Sequence, residues 1–281
     1  MLVLPEARKR SAADLDAHML TKVVLGHDTF RGDGRAMTRR RWIADEWDDT
    51  SASLKGEQAA HLIRVLRAQT GMECDMVAGD RVWRAVISGV TGDAVRFALL
   101  SEVEAEPALP VTLLLSVFKF DRMEWIIEKA TELGAERFIP MSARRSEKHL
   151  VQAAAARVER WRRVAREAAK QSRRSDVPVV EDLVSLKSAV HIRPAHPGLS
   201  LLLAEQEQST TLYAAMQAAV NQPTMERPAV NLAVGPEGGW TAEEEALFAA
   251  EGWRPVSLGP RILRAETAGI TAMAVVAAML G

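Results

Sequence analysis

Two segments near the C-terminus of this 281-residue chain combine glycine, proline and charged residues in a way that could support chemistry. They are Gly235–Trp240, with the sequence GPEGGW, and Leu258–Arg264, with the sequence LGPRILR. Glycine lets a backbone approach a bound molecule closely, and proline stiffens the loop that holds it. Glu237 in the first segment, and Arg261 and Arg264 in the second, could bind or polarise a ligand. The alternative interpretation is that each segment is only a tight turn between a strand and a helix.

Several common kinds of site are not indicated by the sequence. GPEGGW does not have the GxGxxG spacing of dinucleotide-binding loops, and no strand is followed by the phosphate loop GxxxxGK[ST]. The serine-hydrolase elbow GxSxG is absent as well. The six histidines have no metal-ligand spacing, so no metal is expected. Cys74, the single cysteine, lies in a strand pattern and is expected to pack in the core.

A basic helix is predicted upstream of these loops, over Gln152–Gln171. Its apolar stripe contains Val158 and Trp161, and its other faces are rich in arginine. The charge is uneven along the chain, because basic residues outnumber acidic ones over 119–174 and the reverse holds over 175–281. One interpretation is a solvated helix surface. The other is a track for a phosphate backbone, since the guanidinium fork matches phosphate oxygens.

The elements that must position the two loops alternate between strand and helix after Pro110. Apolar runs and helical spacing predict strand Val111–Val117, helix Asp121–Leu133, strand Arg137–Met141, the basic helix, strands Leu201–Ala204 and Val230–Val234, a helix from Thr241 to Gly252, strand Arg254–Leu258 and helix Ala265–Leu280. Thr241 and Glu244 have the spacing of a capping box. Such alternation indicates an α/β fold with a mostly parallel sheet, in which ligands bind at the carboxyl ends of strands. Both loops lie at such ends.

The region before the α/β domain divides into two parts. Residues 1–36 show no sustained periodicity and are expected to be a poorly ordered extension, with an ordered helix around Asp14–Val24 as the alternative. Residues 37–107 predict a small β-rich domain, a barrel, with a helix in 56–67. Its strands are expected at Cys74–Ala78, Arg81–Ser88 and Ala94–Leu100. Residues 108–281 then form the α/β domain.

Composition limits the compartment in which the protein works. A single cysteine excludes a disulfide framework and fits a reducing environment. No apolar run is long enough to span a bilayer, and the N-terminus lacks the apolar core of a signal peptide. We therefore expect a soluble, cytoplasmic protein with no membrane partner. The net charge of −1 does not by itself indicate a polyanionic partner.

Three motifs in order resemble one known family. They are the strand–helix unit Phe118–Gly134, the segment Glu167–Ser172, and the pair formed by Val234–Gly239 and Ser257–Ala268. Together they closely resemble the RsmE family, the 16S ribosomal RNA uridine-N3 methyltransferases of the SPOUT superfamily. The resemblance covers the chain from about Met37 to its C-terminus.

This resemblance implies an architecture and a reaction. Residues 37–107 would form a PUA-like, RNA-binding β-barrel, and 108–281 a SPOUT domain whose loops form a deep trefoil knot. The knot would bind S-adenosylmethionine, and a homodimer would complete each pocket. The substrate would be N3 of uridine 1498, in rRNA numbering, of 16S ribosomal RNA in the small ribosomal subunit.

The resemblance also implies roles for individual residues. Residues expected to line the cofactor are Leu203, Gly235, Glu237, Gly238, Gly239, Leu258, Gly259, Ile262 and Leu263. Residues expected to take part in catalysis are Arg264, Arg261, Glu266 and Glu237. Residues expected to bind RNA phosphates are Arg39, Arg40, Arg41, Arg163, Arg166, Lys170, Arg173 and Arg174.

Uracil N3 carries a proton at neutral pH, so the reaction needs either a base or cations that stabilise the uracil anion. We expect Arg264 or Arg261 to stabilise that charge, and Glu266 or Glu237 to orient the base or accept the proton. Alternatively, Arg261 pairs with Glu266 only to fix the loop. Two other functions stay open: another SPOUT activity, such as ribose 2′-O or guanine N1 methylation, and a non-catalytic ribosome-assembly factor that only binds RNA.

Overall fold

The computed structural model describes residues 38–79, 81–105, 107–172, 174–193, 198–222 and 227–281, and of 38–40 it describes the backbone alone. The extension expected over 1–36, with its alternative helix, lies outside the described residues. So do the side chains of Arg39 and Arg40, and the whole of Arg173.

The described residues before Pro107 fold into a six-stranded sheet and one helix. The elements are β1 (Thr38–Ile43), β2 (Glu46–Trp47), β3 (Ser51–Lys55), α1 (Gly56–Arg64), β4 (Glu73–Ala78), β5 (Arg81–Val90) and β6 (Ala94–Glu102). The strand order is β1-β4-β5-β6-β3-β2. The predicted helix and the three predicted strands are confirmed to within a few residues at their ends. The strands β1, β2 and β3 were not predicted.

The two outermost strands of this sheet, β1 and β2, are consecutive in the chain. β1 runs parallel to β4, and β2 runs antiparallel to β3. Between them, the amide of Ala44 donates to Val77 O at 2.8 Å and the amide of Asp45 donates to Ser53 O at 2.9 Å. One continuous stretch of chain therefore hydrogen-bonds to strands at both edges of the sheet.

Cys74 lies in the core of this first sheet, as predicted, and is buried. Desolvation of the thiolate, with a further contribution from the charge of Asp75, raises the pKa of the Cys74 thiol to about 12. The thiol is therefore a neutral packing group at physiological pH.

The described residues from 107 onward form the α/β domain, which contains a second sheet, entirely parallel, and the helices that pack on it. Its elements are β7 (Leu109–Ser116), α2 (Phe120–Glu132), β8 (Ala135–Ser142), α3 (Lys148–Ala154), α4 (Val158–Gln171), β9 (Val179–Val180), β10 (Val184–Ser185), α5 (Leu186–Ala189), β11 (Gly198–Leu203), α6 (Leu212–Val220), β12 (Ala229–Val234), α7 (Ala242–Ala250), β13 (Arg254–Val256) and α8 (Ala265–Leu280). The order is β10-β8-β7-β12-β11-β13, with β9 pairing β8, and every pair is parallel. The predicted α/β fold with a parallel sheet is confirmed.

Helices cover both faces of the parallel sheet. Along β7, Leu113 and Leu115 pack into the core formed with α2, α4, α6 and α8, whereas Leu114 packs into the core formed with α5 and α7. Strands buried on both faces read as continuous apolar runs, which is why β7 was recognisable from its sequence.

Several predicted elements in the α/β domain have the wrong bounds, and β9, β10, α5 and α6 were not predicted. The helix expected over Gln152–Gln171 is two helices, α3 and α4, joined by a 3₁₀ turn at Ala155–Arg157. Ala154 and Val158 are both buried while the turn between them is exposed, so the break lets both helices bury their apolar sides. β13 ends at Val256 rather than Leu258, because the amide of Ser257 donates to Thr210 O instead of extending the sheet.

Gly269 allows α8 to lie very close to α2. A Cβ atom added at Gly269 would sit 2.1 Å from Ile126 Cδ1 on α2 and 3.4 Å from a methyl group of Val234 on β12. Ile126 has no exposed surface, so its side chain has no solvent-facing position to move into. The beginning of α8 therefore packs directly against α2 and the end of β12.

We expect Gly269→Ala to lower the free energy of unfolding by about 1–3 kcal/mol through overpacking. This opposes the intrinsic preference for alanine over glycine inside a helix, which is roughly 1 kcal/mol. Urea unfolding monitored by circular dichroism measures the change. Ile126→Val deletes Cδ1, so adding G269A to I126V should cost much less than adding it to the parent. A G269A protein more stable than the parent would contradict the close packing.

Candidate functional site

A cleft of about 920 Å³ opens at the carboxyl ends of β11, β12 and β13. Three stretches of chain supply most of its wall: residues 203–208, 234–240 and 256–265. Arg122 from α2 and Arg145 from the loop after β8 complete it. All nine residues expected to line a cofactor face this one cleft, namely Leu203, Gly235, Glu237, Gly238, Gly239, Leu258, Gly259, Ile262 and Leu263. Their contacts with a cofactor remain a prediction.

The loop after β12 is a short turn, stabilised by hydrogen bonds that its own residues donate. The amide of Gly239 donates to Pro236 O at 2.9 Å, and Gly239 has φ of 68°, a left-handed conformation that glycine adopts without strain. The indole Nε1 of Trp240 donates to Leu203 O at 2.9 Å and so ties the loop to the end of β11. Gly235 packs against the Trp240 ring, which a Cβ would approach to 3.1 Å.

Arg145 holds the same loop from the other side. Its Nη1 donates to Gly238 O and to Trp240 O, each at 2.9 Å. The neighbouring amide of Arg144 donates at 2.7 Å to Glu244, whose carboxylate also completes the predicted capping box with Thr241. Sequence reasoning missed this pair of arginines. Their position directly after a parallel strand was the available signal, because the ends of neighbouring strands meet at one edge.

The loop before α8 is more open. Gly259 has φ of 103°, and no atom lies within 4 Å of a Cβ built there. Arg261 and Arg264 are both exposed and both line the cleft. The apolar side chain of Ile262 is 82% exposed at the rim. This loop therefore presents its backbone and two cations to the cleft.

Arg122 connects the two loops, and sequence reasoning did not identify it. Its Nη1 donates to Glu237 Oε1, and its Nε lies 3.5 Å from Glu266 Oε1. The alternative pairing of Arg261 with Glu266 is wrong, because Arg122 is the ionic partner of Glu266 among the described residues.

The expectation that Glu266 acts directly on the substrate is corrected by its burial. Only 3% of its side chain is exposed, and it lies behind Arg122 instead of on the wall of the cleft. The side chain of Glu237 is 39% exposed and does line the cleft. Of the two carboxylates, Glu237 alone is placed where a ligand could touch it.

Acidic residues line the same cleft as the arginines. Glu205 and Glu207 lie in the turn after β11 and line the opening. Glu207 accepts hydrogen bonds from the Ser209 hydroxyl and from the amides of Ser209 and Thr210. The Ser209 hydroxyl is the largest of the effects that lower the pKa of Glu207, so this carboxylate stays ionised at neutral pH.

The residues expected to bind RNA divide by exposure. Arg163 and Arg166 are exposed on α4, and Arg41 is partly buried. Lys170 is 15% exposed and bonds to Glu167 at 2.8 Å.

Arg174 is a correction to the predicted RNA surface. Its side chain is 8% exposed, and its Nη1 donates to Thr131 O at 2.8 Å and to Ala135 O at 2.7 Å. It also pairs with Asp176. The α4 helix ends at Gln171, so the chain turns before Arg174 and the side chain points into the end of α2. This arginine holds the fold together instead of facing a ligand.

Within the described part of the chain, no three His, Cys, Asp or Glu side chains come together as a metal site would require. In the same part, no helix has both the length and the apolar character needed to cross a membrane.

Comparison with known proteins places this cleft in a family context. The sequence model for an RNA methyltransferase domain matches residues 105–277. The chain is 38% identical over 236 residues to the ribosomal RNA small subunit methyltransferase E of Synechocystis, covering 83% of this chain and 74% of that one. It is 31% identical to the Bacillus subtilis protein of the same name, covering 80% and 88%. It also resembles the crystal structure of a ribosomal RNA small subunit methyltransferase E from Neisseria gonorrhoeae bound to S-adenosyl methionine, with a TM-score of 0.69 and 26% identity, over 84% of this chain and 96% of that one.

Proposed function

This chain belongs to the ribosomal RNA small subunit methyltransferase E family, and from that premise we propose which atom it methylates and which residues carry the reaction. It is an S-adenosylmethionine-dependent methyltransferase acting on 16S ribosomal RNA of the small subunit. The methylated atom is N3 of a uridine, at position 1498 in rRNA numbering. One observation carries the site assignment: nine residues selected from sequence, in segments up to 60 positions apart, all line one cleft.

The residues of the cleft fit S-adenosylmethionine. About 920 Å³ lies within the usual size of small-molecule sites and leaves room for a nucleotide beside a cofactor. At Gly259 a side chain would project into open space, so the glycine keeps the backbone accessible to a ligand. Bound here, the cofactor supplies an electrophilic methyl group on a sulfonium. Gly235, Gly238, Gly239 and Gly259 would hold it through their backbones.

Methyl transfer is an in-line displacement, so the chain must align the uridine and help its N3 lose a proton. Arg264 and Arg261 are exposed cations on the cleft wall and stabilise negative charge on the uracil carbonyl oxygens. Glu237 is the carboxylate within reach of a ligand, and it orients the base or accepts the proton. The target uridine must also leave any base stack before it enters the cleft.

RNA binding should depend on the exposed arginines of α4. We expect R163A/R166A to bind a 16S RNA fragment more weakly, and to reduce the slope of log affinity against log salt by about 1 for each phosphate that is no longer bound. Fluorescence anisotropy at several salt concentrations measures the slope. Lys187→Ala is the matched control, because Lys187 is exposed on α5, on the opposite face of the sheet. An unchanged slope in R163A/R166A would remove these arginines from the RNA surface.

The proposal extends to the architecture around the site. Residues 37–107 form a PUA-like barrel that contacts RNA. The closed shape of a barrel is supported by the continuous segment of β1 and β2, which hydrogen-bonds at both edges of the first sheet. The loops of 108–281 form a deep trefoil knot, and two copies associate so that each completes the other's pocket. The protein acts in the cytoplasm.

The identity of the product tests this proposal. Small-subunit RNA from cells lacking this protein is incubated with the purified chain and labelled S-adenosylmethionine, digested and mapped by mass spectrometry. We expect label in 3-methyluridine, together with arrest of primer extension at that position, because N3 methylation blocks base pairing. Label in a ribose 2′-O-methyl group or in a methylated guanine would replace the proposed reaction with another methyl transfer.

A further inference from the structure

Arg122 lies on α2, far in sequence from the two loops it touches. It is in the first turn of the helix that follows β7, and it is separated from Glu237 by 115 residues. Glu237 belongs to the loop after β12, and Glu266 belongs to the first turn of α8, directly after the second loop. One guanidinium therefore joins the first strand–helix unit to the loop after β12 and to the start of α8, which directly follows the second loop.

The geometry uses two different edges of that guanidinium. Nη1 donates to Glu237 Oε1, while Nε lies 3.5 Å from Glu266 Oε1. Both interactions leave Arg122 itself only 22% exposed, with part of its surface on the cleft wall. A planar fork with several fixed donors suits such a bridge, whereas a lysine ammonium would not hold two separated carboxylates in defined directions.

The contact between Arg122 and Glu266 is important because the Glu266 side chain is buried. The carboxylate of Glu266 is 3% exposed, and its Oε2 atom has no hydrogen-bond partner among the described residues. A buried charge is costly unless it is paired, so the Glu266 carboxylate depends on Arg122, with help from the N-terminal end of the α8 dipole. The next turn of α8 packs closely on α2 at Gly269, where a Cβ would sit 2.1 Å from Ile126 Cδ1, so Glu266 lies on the side of α8 that is packed against the protein.

We propose that Arg122 is a positioning residue for the methyl transfer: by bridging Glu237 and Glu266 it sets the two cofactor-binding loops at a fixed separation before any ligand binds. The inference rests on the proposed function, because it assumes that these loops bind S-adenosylmethionine. Loops that are already in place lose less conformational freedom on binding, which strengthens affinity. Glu237 is also held by Arg122, so its carboxylate reaches the ligand in one orientation.

Two variants separate positioning from simple support of the fold. R122Q leaves the buried Glu266 charge unpaired, so both thermal stability and cofactor affinity should fall. R122Q/E266Q removes that charge as well, so stability should recover while Glu237 remains without its partner. We expect the dissociation constant for S-adenosylmethionine to rise roughly tenfold to 100-fold in both variants, because the loops must then become ordered as the cofactor binds.

Isothermal titration calorimetry with S-adenosylmethionine, together with differential scanning fluorimetry, gives both quantities. Arg137→Gln is the matched control, because it breaks another Arg–Glu pair of the same domain, with Glu181, away from the cleft. If R122Q/E266Q recovers affinity along with stability, or if R122Q binds like the parent, Arg122 has no positioning role. If the parent itself binds no S-adenosylmethionine, the proposed function fails instead, which is a different result.

Discussion

Arg264→Ala is expected to lower the turnover number for methyl transfer by about 10²–10³-fold, the usual cost of removing one donor that stabilises developing negative charge. The dissociation constant for S-adenosylmethionine should change little. Arg264 is exposed, lines the cleft and stands at the N-cap of α8, next to the loop that presents Gly259. It makes no ion pair with another described residue, so its guanidinium is available to a substrate.

Single-turnover methylation of 16S RNA measures the loss of turnover, and a separate titration with S-adenosylmethionine measures any loss of cofactor affinity. Arg254→Ala is the control, because Arg254 is an exposed arginine at the other end of the short strand β13 that leads into the same loop. Equal losses of turnover and cofactor affinity in R264A would show that Arg264 supports the pocket and does not act on the uridine.

Gly259→Val is expected to weaken S-adenosylmethionine binding on the order of 10²-fold, which corresponds to about 3 kcal/mol. Two effects act together. Gly259 has φ of 103°, where a β-branched residue costs about 1–3 kcal/mol of backbone strain. The added side chain would also occupy space that is open in the cleft, because nothing lies within 4 Å of a Cβ at this position. Calorimetric titration with S-adenosylmethionine measures the loss.

Gly252→Val is the matched control for this substitution. Gly252 also has a positive φ, 78°, and open space around a Cβ, but it lies after α7 and outside the cleft. The G252V protein should therefore be less stable than the parent but should bind S-adenosylmethionine with unchanged affinity. If G259V binds the cofactor as well as G252V does, the second loop does not form the cofactor site.

Local signals were enough to predict most of the elements that carry the site. Thr241 and Glu244 form the capping box that their spacing indicated, and α8 has the predicted bounds, Ala265–Leu280. The two glycine loops were identified because turns with positive φ and strand ends leave clear marks in a sequence. Helix α6 was missed although a local signal marks its start, since Thr211 caps it by accepting a hydrogen bond from the amide of Ala214.

Contacts between distant segments could not be predicted in this way. Arg122 looks like any charged residue in the first turn of an amphipathic helix, and its role depends on two loops more than 100 positions away. The burial of Glu266 follows from the close approach of α8 to α2 at Gly269, which no local pattern encodes. Arg174 was assigned to the wrong surface because a run of basic residues does not reveal where a helix ends.

Titration of the purified, folded chain with S-adenosylmethionine in a calorimeter tests most directly whether the two loops form a cofactor pocket. We expect saturable binding to each chain, weakened by G259V and by R122Q but retained in R264A. A properly folded parent protein that releases no heat with this ligand, and that retains no labelled cofactor in equilibrium dialysis, would contradict the assignment of the two loops.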